Sequence, residues 1–133
     1  MKTMRLAALA ALVFGSVLAH AETQNVMTGL TRTQLLRHDV SVAGREVIQV
    51  RVDFERGTFA DFHSHPGEEI AFVVEGTMEY QFQGQPAVIL NKGDSLFIPA
   101  GTNHSAKNIG EGKASELATY FVDKSKPLVV PAH

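Results

Sequence analysis

Two short stretches hold most of the side chains able to do chemistry. In the first, Gly57 to Glu69, the histidines His63 and His65 stand two residues apart, and Glu69 follows a Pro66-Gly67 pair. On an extended strand, residues i and i+2 share a face, so the two imidazoles point the same way. Pro-Gly turns the chain, which lets Glu69, opening the next strand, come back toward them. Two imidazoles and a carboxylate then converge, and neutral ring nitrogen with carboxylate oxygen is a donor set for a transition metal. A His-x-His pair alone is more often a surface or packed pair than a ligand pair. The second stretch, Gly93 to His104, ends a strand-like run in Pro99-Ala100-Gly101 and delivers a third histidine, with Asn108 four residues beyond it.

The elements that must position these groups read as strands. From Glu22 onward, short β-type runs alternate with Gly, Pro and Asn/Asp turn signals, and no helical period is sustained for three turns. Val47 to Phe54 alternates cleanly, with Ile48, Val50, Val52 and Phe54 on one face. Ala43-Gly44 before it predicts a hairpin from an edge segment near Leu35 to Val42. Further strands are expected over Ile70 to Val74, Thr77 to Phe82, Ala87 to Leu90, Ser95 to Ile98, His104 to Asn108 and Ser115 to Val122. Eight or so evenly spaced strands imply an all-β sandwich, barrel or jelly roll.

The fixed positions of both stretches resemble the two motifs of the cupin superfamily. Gly57, His63, His65, Glu69 and Gly76 match the first, and Gly93, Pro99, Gly101, His104 and Asn108 match the second. The 16 residues between them, Thr77 to Lys92, resemble the short spacing of small single-domain bacterial cupins, and the likeness runs from Gly44 to about Val122. It implies a jelly-roll (double-stranded β-helix) barrel holding one divalent transition metal, Zn, Fe, Cu, Mn or Ni, through His63, His65, Glu69 and His104. Four such ligands leave one or two positions open for water or a small-molecule substrate. The single carboxylate lowers a divalent site to a formal charge of +1, so Glu69 is expected to stay ionised.

The favoured activity is dioxygenase-type oxidation of a small molecule, with Glu69 as ligand and candidate base. Metal-dependent hydrolysis, decarboxylation or isomerisation, and non-catalytic capture of a small ligand, are the alternatives. Glu68 is the nearest rival ligand, but strand alternation turns it outward. Asn108 is expected to bond backbone, and His38 and His133 to lie on the surface. Tyr80, Met78, Phe82 and Phe97 either line the cavity or pack the core.

Composition bounds the rest. A chain of 133 residues, 44% hydrophobic, fits one folded domain. Residues 1–21 read as a secretory signal peptide: Lys2 and Arg5, an apolar run from Leu6 to Leu18, then Ala19-His20-Ala21. The run is shorter than the roughly 20 residues of a membrane span. Export to the periplasm or beyond, and a mature cupin domain over 22–133, are therefore expected. Cleavage removes two basic residues and no acidic one, leaving ten basic against 14 acidic side chains. Nothing there suits nucleic acid or an anionic membrane. With no cysteine, disulfides, thiolate ligands and lipoprotein anchoring are excluded. If Glu69 faces inward, the large apolar Ile70, Phe72 and Val74 face the other side of the sheet. That surface, with the Lys126 to Pro131 tail as an arm, predicts a homodimer.

Overall fold

The computed structural model describes residues 28–133, so the expected leader lies outside the described residues. Ten strands follow in order: β1 (Leu30–Asp39), β2 (Arg45–Phe54), β3 (Phe59–Ser64), β4 (Gly67–Glu75), β5 (Thr77–Phe82), β6 (Val88–Asn91), β7 (Ser95–Ile98), β8 (His104–Asn108), β9 (Ala114–Asp123) and β10 (Val130–Pro131). They form two five-stranded sheets, β1-β2-β9-β4-β7 and β10-β3-β8-β5-β6. Every pairing is antiparallel. The all-β jelly-roll expectation is met.

Alternation decides which side chains fill the barrel. Ile48, Val50, Val52 and Phe54 of β2 are all buried. An unbroken register from Arg45↔Asp123 to Phe54↔Ala114 sets β9 beside β2, so Glu116, Ala118, Tyr120 and Val122 face inward with them. β4 continues the layers, with Tyr120 opposite Glu69, Ala118 opposite Ala71 and Glu116 opposite Val73. Close approach fixes this register. A Cβ on Gly67 would meet the Phe121 carbonyl oxygen at 1.9 Å and the Val122 Cα at 2.7 Å, so only glycine fits where β4 begins.

The barrel closes at its apolar end with Leu30, Phe54, Met78 and Ala114, all fully or almost fully buried. Asn108 seals that end by bonding backbone. Its amide nitrogen reaches the carbonyls of Phe54 and Glu55 at 3.2 Å and of Gly112 at 2.8 Å, and its oxygen accepts the Gly110 N–H at 2.9 Å.

Three expectations change. The edge strand runs from Leu30 to Asp39 rather than from Leu35 to Val42, and it pairs with β2 along its length, with an irregularity between Gln34 and Leu36. Arg32 and Gln34 pair with the inward-facing Val52 and Val50, and these polar residues in an inward row conceal the alternation. The tail folds back instead of projecting: β10 pairs Val130 with Ser64 and Pro131 with His63. Phe97 lies outside the cavity, 58% exposed, because Ile98 pairs with Glu69 and takes the inward position of β7.

Candidate metal centre

Both sheets contribute to one polar cluster. His63 near the end of β3 pairs with His104 at the start of β8, which in turn pairs with Phe82. His65 follows β3 and precedes the Pro66-Gly67 turn, where its carbonyl accepts the Gly101 N–H at 3.0 Å. That bond joins the turns of the two histidine-bearing stretches. Glu69 enters from the facing sheet, between Tyr120 and Ile98. The structure thus brings His63, His65, Glu69 and His104 together, with exposures of 8%, 3%, 2% and 2%.

The three ring centroids are separated by 4.9 Å, 4.5 Å and 5.3 Å, and the ligand nitrogens of the three histidines lie within 4.8 Å of one another. Glu69 approaches from the side of His65 and His104, its Oε2 lying 3.0 Å and 3.3 Å from their Nε2 atoms.

Backbone carbonyls select the tautomers. Nδ1 of His63 meets the Asp61 oxygen at 2.6 Å, Nδ1 of His65 the Leu128 oxygen at 2.6 Å, and Nδ1 of His104 the Thr102 oxygen at 2.9 Å. A carbonyl only accepts, so each Nδ1 carries a proton and donates it. Each neutral ring then turns an Nε2 lone pair toward the others, the usual way a protein orients histidines toward a cation. Nε2 of His65 and Oε2 of Glu69 have no hydrogen-bond partner among the described residues despite their 3.0 Å separation. Leaving one buried polar atom unpaired costs about 1–3 kcal/mol, and a carboxylate more. Two buried acceptors in van der Waals contact are tolerable when positive charge sits between them. The donor set and its orphaned atoms therefore fit a transition metal ion.

The electrostatics agree. Burial works to raise the Glu69 carboxyl, but the adjacent His104 and His65 rings outweigh it and carry it down to about 2. Burial pushes His63 down to about 4, so its ring is neutral at pH 7. Burial also opposes charge on His104, yet the Glu69 carboxylate and the Thr102 carbonyl lift it above its ordinary value. A carboxylate that stays ionised here attracts a proton or a metal cation to the same point.

The surrounding residues divide cleanly. Glu68 faces outward, its side chain 39% exposed and 3.8 Å from Arg45. Asn108 serves the backbone, while His38 and His133 are exposed. Met78 and Tyr80 are buried in the barrel and Phe82 is half-buried, its ring 6.4 Å from that of His104. Sequence reasoning missed Tyr120 and Glu116. The Tyr120 ring packs tilted against His65 with centroids 4.6 Å apart, and burial followed by the Glu69 charge holds its phenol protonated. Glu116 is buried and accepts the Tyr80 hydroxyl. Burial, then the charge of Glu69, pushes its carboxyl up to about 7. The signal was present in the strand alternation, since Glu116 and Tyr120 share a face with Ala118 and Val122.

The family profile described as "Cupin domain" matches residues 50–120, which takes in all four clustered residues. The chain belongs to the cupin family. Its fold is similar to a solved cupin-like protein of Thermotoga maritima, at 25% identity and a TM-score of 0.68, covering 89% of each chain. A solved oxalate oxidase is similar at 26% identity and a TM-score of 0.64, over 90% of this cupin and 63% of that chain. Among curated proteins, dimethylsulfoniopropionate lyase DddQ of Ruegeria pomeroyi is 39% identical over 51 residues, 38% of this chain and 25% of the lyase. Germin-like protein subfamily 3 member 3 of Arabidopsis thaliana is 29% identical over 103 residues, 74% of this chain and 49% of the relative. The cupin described here spans a quarter to a half of the length of these curated relatives.

Proposed function

We propose that this cupin is a metal-dependent enzyme acting on a small molecule, with dioxygenase-type oxidation the favoured chemistry. The observation that carries the reading is the convergence of Nε2 lone pairs and the Glu69 carboxylate on one buried point without a hydrogen bond to satisfy His65 Nε2 and Glu69 Oε2. His63, His65, Glu69 and His104 would hold one divalent metal, which when bound would supply Lewis acidity and, if redox-active, electron transfer between dioxygen and an organic substrate.

The protein's own contribution is positional and protonic. Carbonyls of Asp61, Leu128 and Thr102 fix the three rings. Tyr120 and Phe82 wall the cluster with ring surface. Tyr80 donates its phenol hydrogen to the buried Glu116 carboxyl inside the barrel, and Glu69 is a candidate base. The likeness to oxalate oxidase supports oxidation of a small organic substrate. The likeness to a dimethylsulfoniopropionate lyase supports a second reading, non-redox bond cleavage at the same centre.

Two further proposals concern the cupin's setting. The leader-like residues 1–21 support export to the periplasm or beyond, and N-terminal sequencing of exported material should begin at Glu22. The outward face of β4, β7 and β9 exposes Ile70, Phe72, Phe97 and Phe121 at 41%, 40%, 58% and 40%, which supports a homodimer through that face. Sedimentation as a strict monomer at micromolar concentration would remove that proposal.

The functional reading is tested by elemental analysis of protein purified from its exported compartment, paired with oxygen-electrode assays against enediols, catechols and small dicarboxylates. One equivalent of a redox metal with oxygen uptake is expected. Stoichiometric zinc without uptake would overturn oxidation in favour of bond cleavage or ligand binding.

A further inference from the structure

A cavity of about 440 Å³ lies beside the metal centre and has no part in the reading above. It opens between the inward face of the β1–β2 hairpin and the segment that follows β9. Ile48, Val50, Val122 and Leu128 give it an apolar floor. Arg32, Gln34, Arg37 and Lys126 stand around that floor, with Glu46 as the one carboxylate of the lining.

The cations are not equivalent. Arg37 makes a two-pronged bond to Glu46 at 2.8 Å and 2.7 Å. Lys126 lies 3.5 Å from Asp123. Arg32 is half-buried, makes no hydrogen bond or ion pair among the described residues, and acts on the buried Glu116 by charge alone. Its position is built by register: Arg32 pairs with Val52 and Gln34 with Val50, both inward-facing members of β2. A charge on the inward row of an edge strand commonly serves to prevent edge-to-edge pairing. Here that charge faces a space large enough for a ligand, since small-molecule sites occupy roughly 300–1,000 Å³.

We propose that this cavity binds a monocarboxylate with an apolar body, its carboxylate on Arg32 and its body on Ile48, Val50 and Val122. A guanidinium presents paired N–H donors that match the two oxygens of a carboxylate, and partial burial strengthens the contact. A neutral ligand would leave those donors unmatched. A cation would meet two arginines and a lysine against one glutamate already engaged. The lining includes no side chain of the metal cluster, so the site does not depend on the metal assignment. It does touch the cluster through the backbone, because Leu128 belongs to the cavity wall and its carbonyl accepts the His65 Nδ1–H at 2.6 Å.

Calorimetric titration of the purified protein with benzoate and with hexanoate, repeated after chelation and matched against neutral benzamide, tests this. Millimolar or tighter binding of at least one carboxylate is expected, unchanged by chelation, with benzamide at least about tenfold weaker. Arg32→Gln should weaken the carboxylate about tenfold or more. Gln34→Glu, at an exposed position that leaves the core intact, should do the same by placing a negative charge beside Arg32. Binding of neither carboxylate, equal binding of benzamide, or full binding to both variants would overturn the proposal. Binding that disappears on chelation would place the carboxylate on the metal instead, and would leave the metal reading standing while the cavity assignment fell.

Discussion

The two ends of the barrel are joined by β8, which carries His104 at one and Asn108 at the other, and both are buried, yet their chemistry is opposite. At one end, Leu30, Phe54, Met78 and Ala114 meet with Asn108 as the polar member, and its amide nitrogen and oxygen both bond backbone. At the other, His63, His65, Glu69 and His104 face one another with two polar atoms unpaired among the described residues, and Tyr80 and Glu116 lie on the inner wall. The first end has the composition that folding alone favours, because apolar burial stabilises and every polar group is matched. The second costs stability, and a cation would recover part of that cost. The contrast locates the stabilising role at one end and the chemical role at the other.

Substitutions at each end should separate these roles. Phe54→Ala is expected to cost about 3–5 kcal/mol in denaturant unfolding, while folded protein keeps its full metal complement. Metal loss in proportion to the lost stability would break the division between the two ends.

Glu116 gives the next largest effect. Its carboxyl rests at about 7 in the folded protein against an ordinary 4.5, so the native state holds a proton that the unfolded chain releases between those values. The unfolded chain then binds fewer protons, and stability falls as pH rises through that window, by roughly 3 kcal/mol in total. Glu116→Gln should abolish this component. Unfolding curves of chelated protein at several pH values should show the variant gaining on wild type from pH 4.5 to 7, with no further gain above. A constant difference across the window would mean that burial does not hold this proton.

Asn108→Ala at the apolar end should cost about 1–3 kcal/mol, through carbonyls and the Gly110 N–H left unmatched, and should leave metal binding unchanged. Chelation should lower the thermal midpoint of wild type, since an ion that binds only the folded state adds to its stability. Phe54→Ala should show a similar drop and His104→Ala little. Glu68→Ala, outward and loosely paired with Arg45, should alter neither stability by more than about 0.5 kcal/mol nor metal content.

Much of this is legible in the sequence alone. Thr77 to Phe82, Ser95 to Ile98 and His104 to Asn108 are strands with the bounds expected, since Gly, Pro and Asn punctuate their ends. The four clustered residues were legible because strand alternation and a Pro-Gly turn act over short distances. What was hidden depends on partners far away in the chain. Leu128 supplies a carbonyl to His65 across 63 positions. β10 is a two-residue strand containing a proline, defined wholly by its contact with β3. Glu116 falls within an expected strand, but its burial depends on β2 and β4 lying beside β9, and the expected edge segment starts at Leu35, short of Arg32 and Gln34 in the inward row.

We propose that the polar end holds one metal ion through His63, His65, Glu69 and His104. Equilibrium dialysis followed by elemental analysis, on wild type, His63→Ala, His104→Ala and Glu68→Ala side by side, tests it most directly. About one equivalent is expected in wild type and Glu68→Ala, with marked loss in both histidine variants. No bound metal in wild type, or equal loss in all three variants, would contradict it.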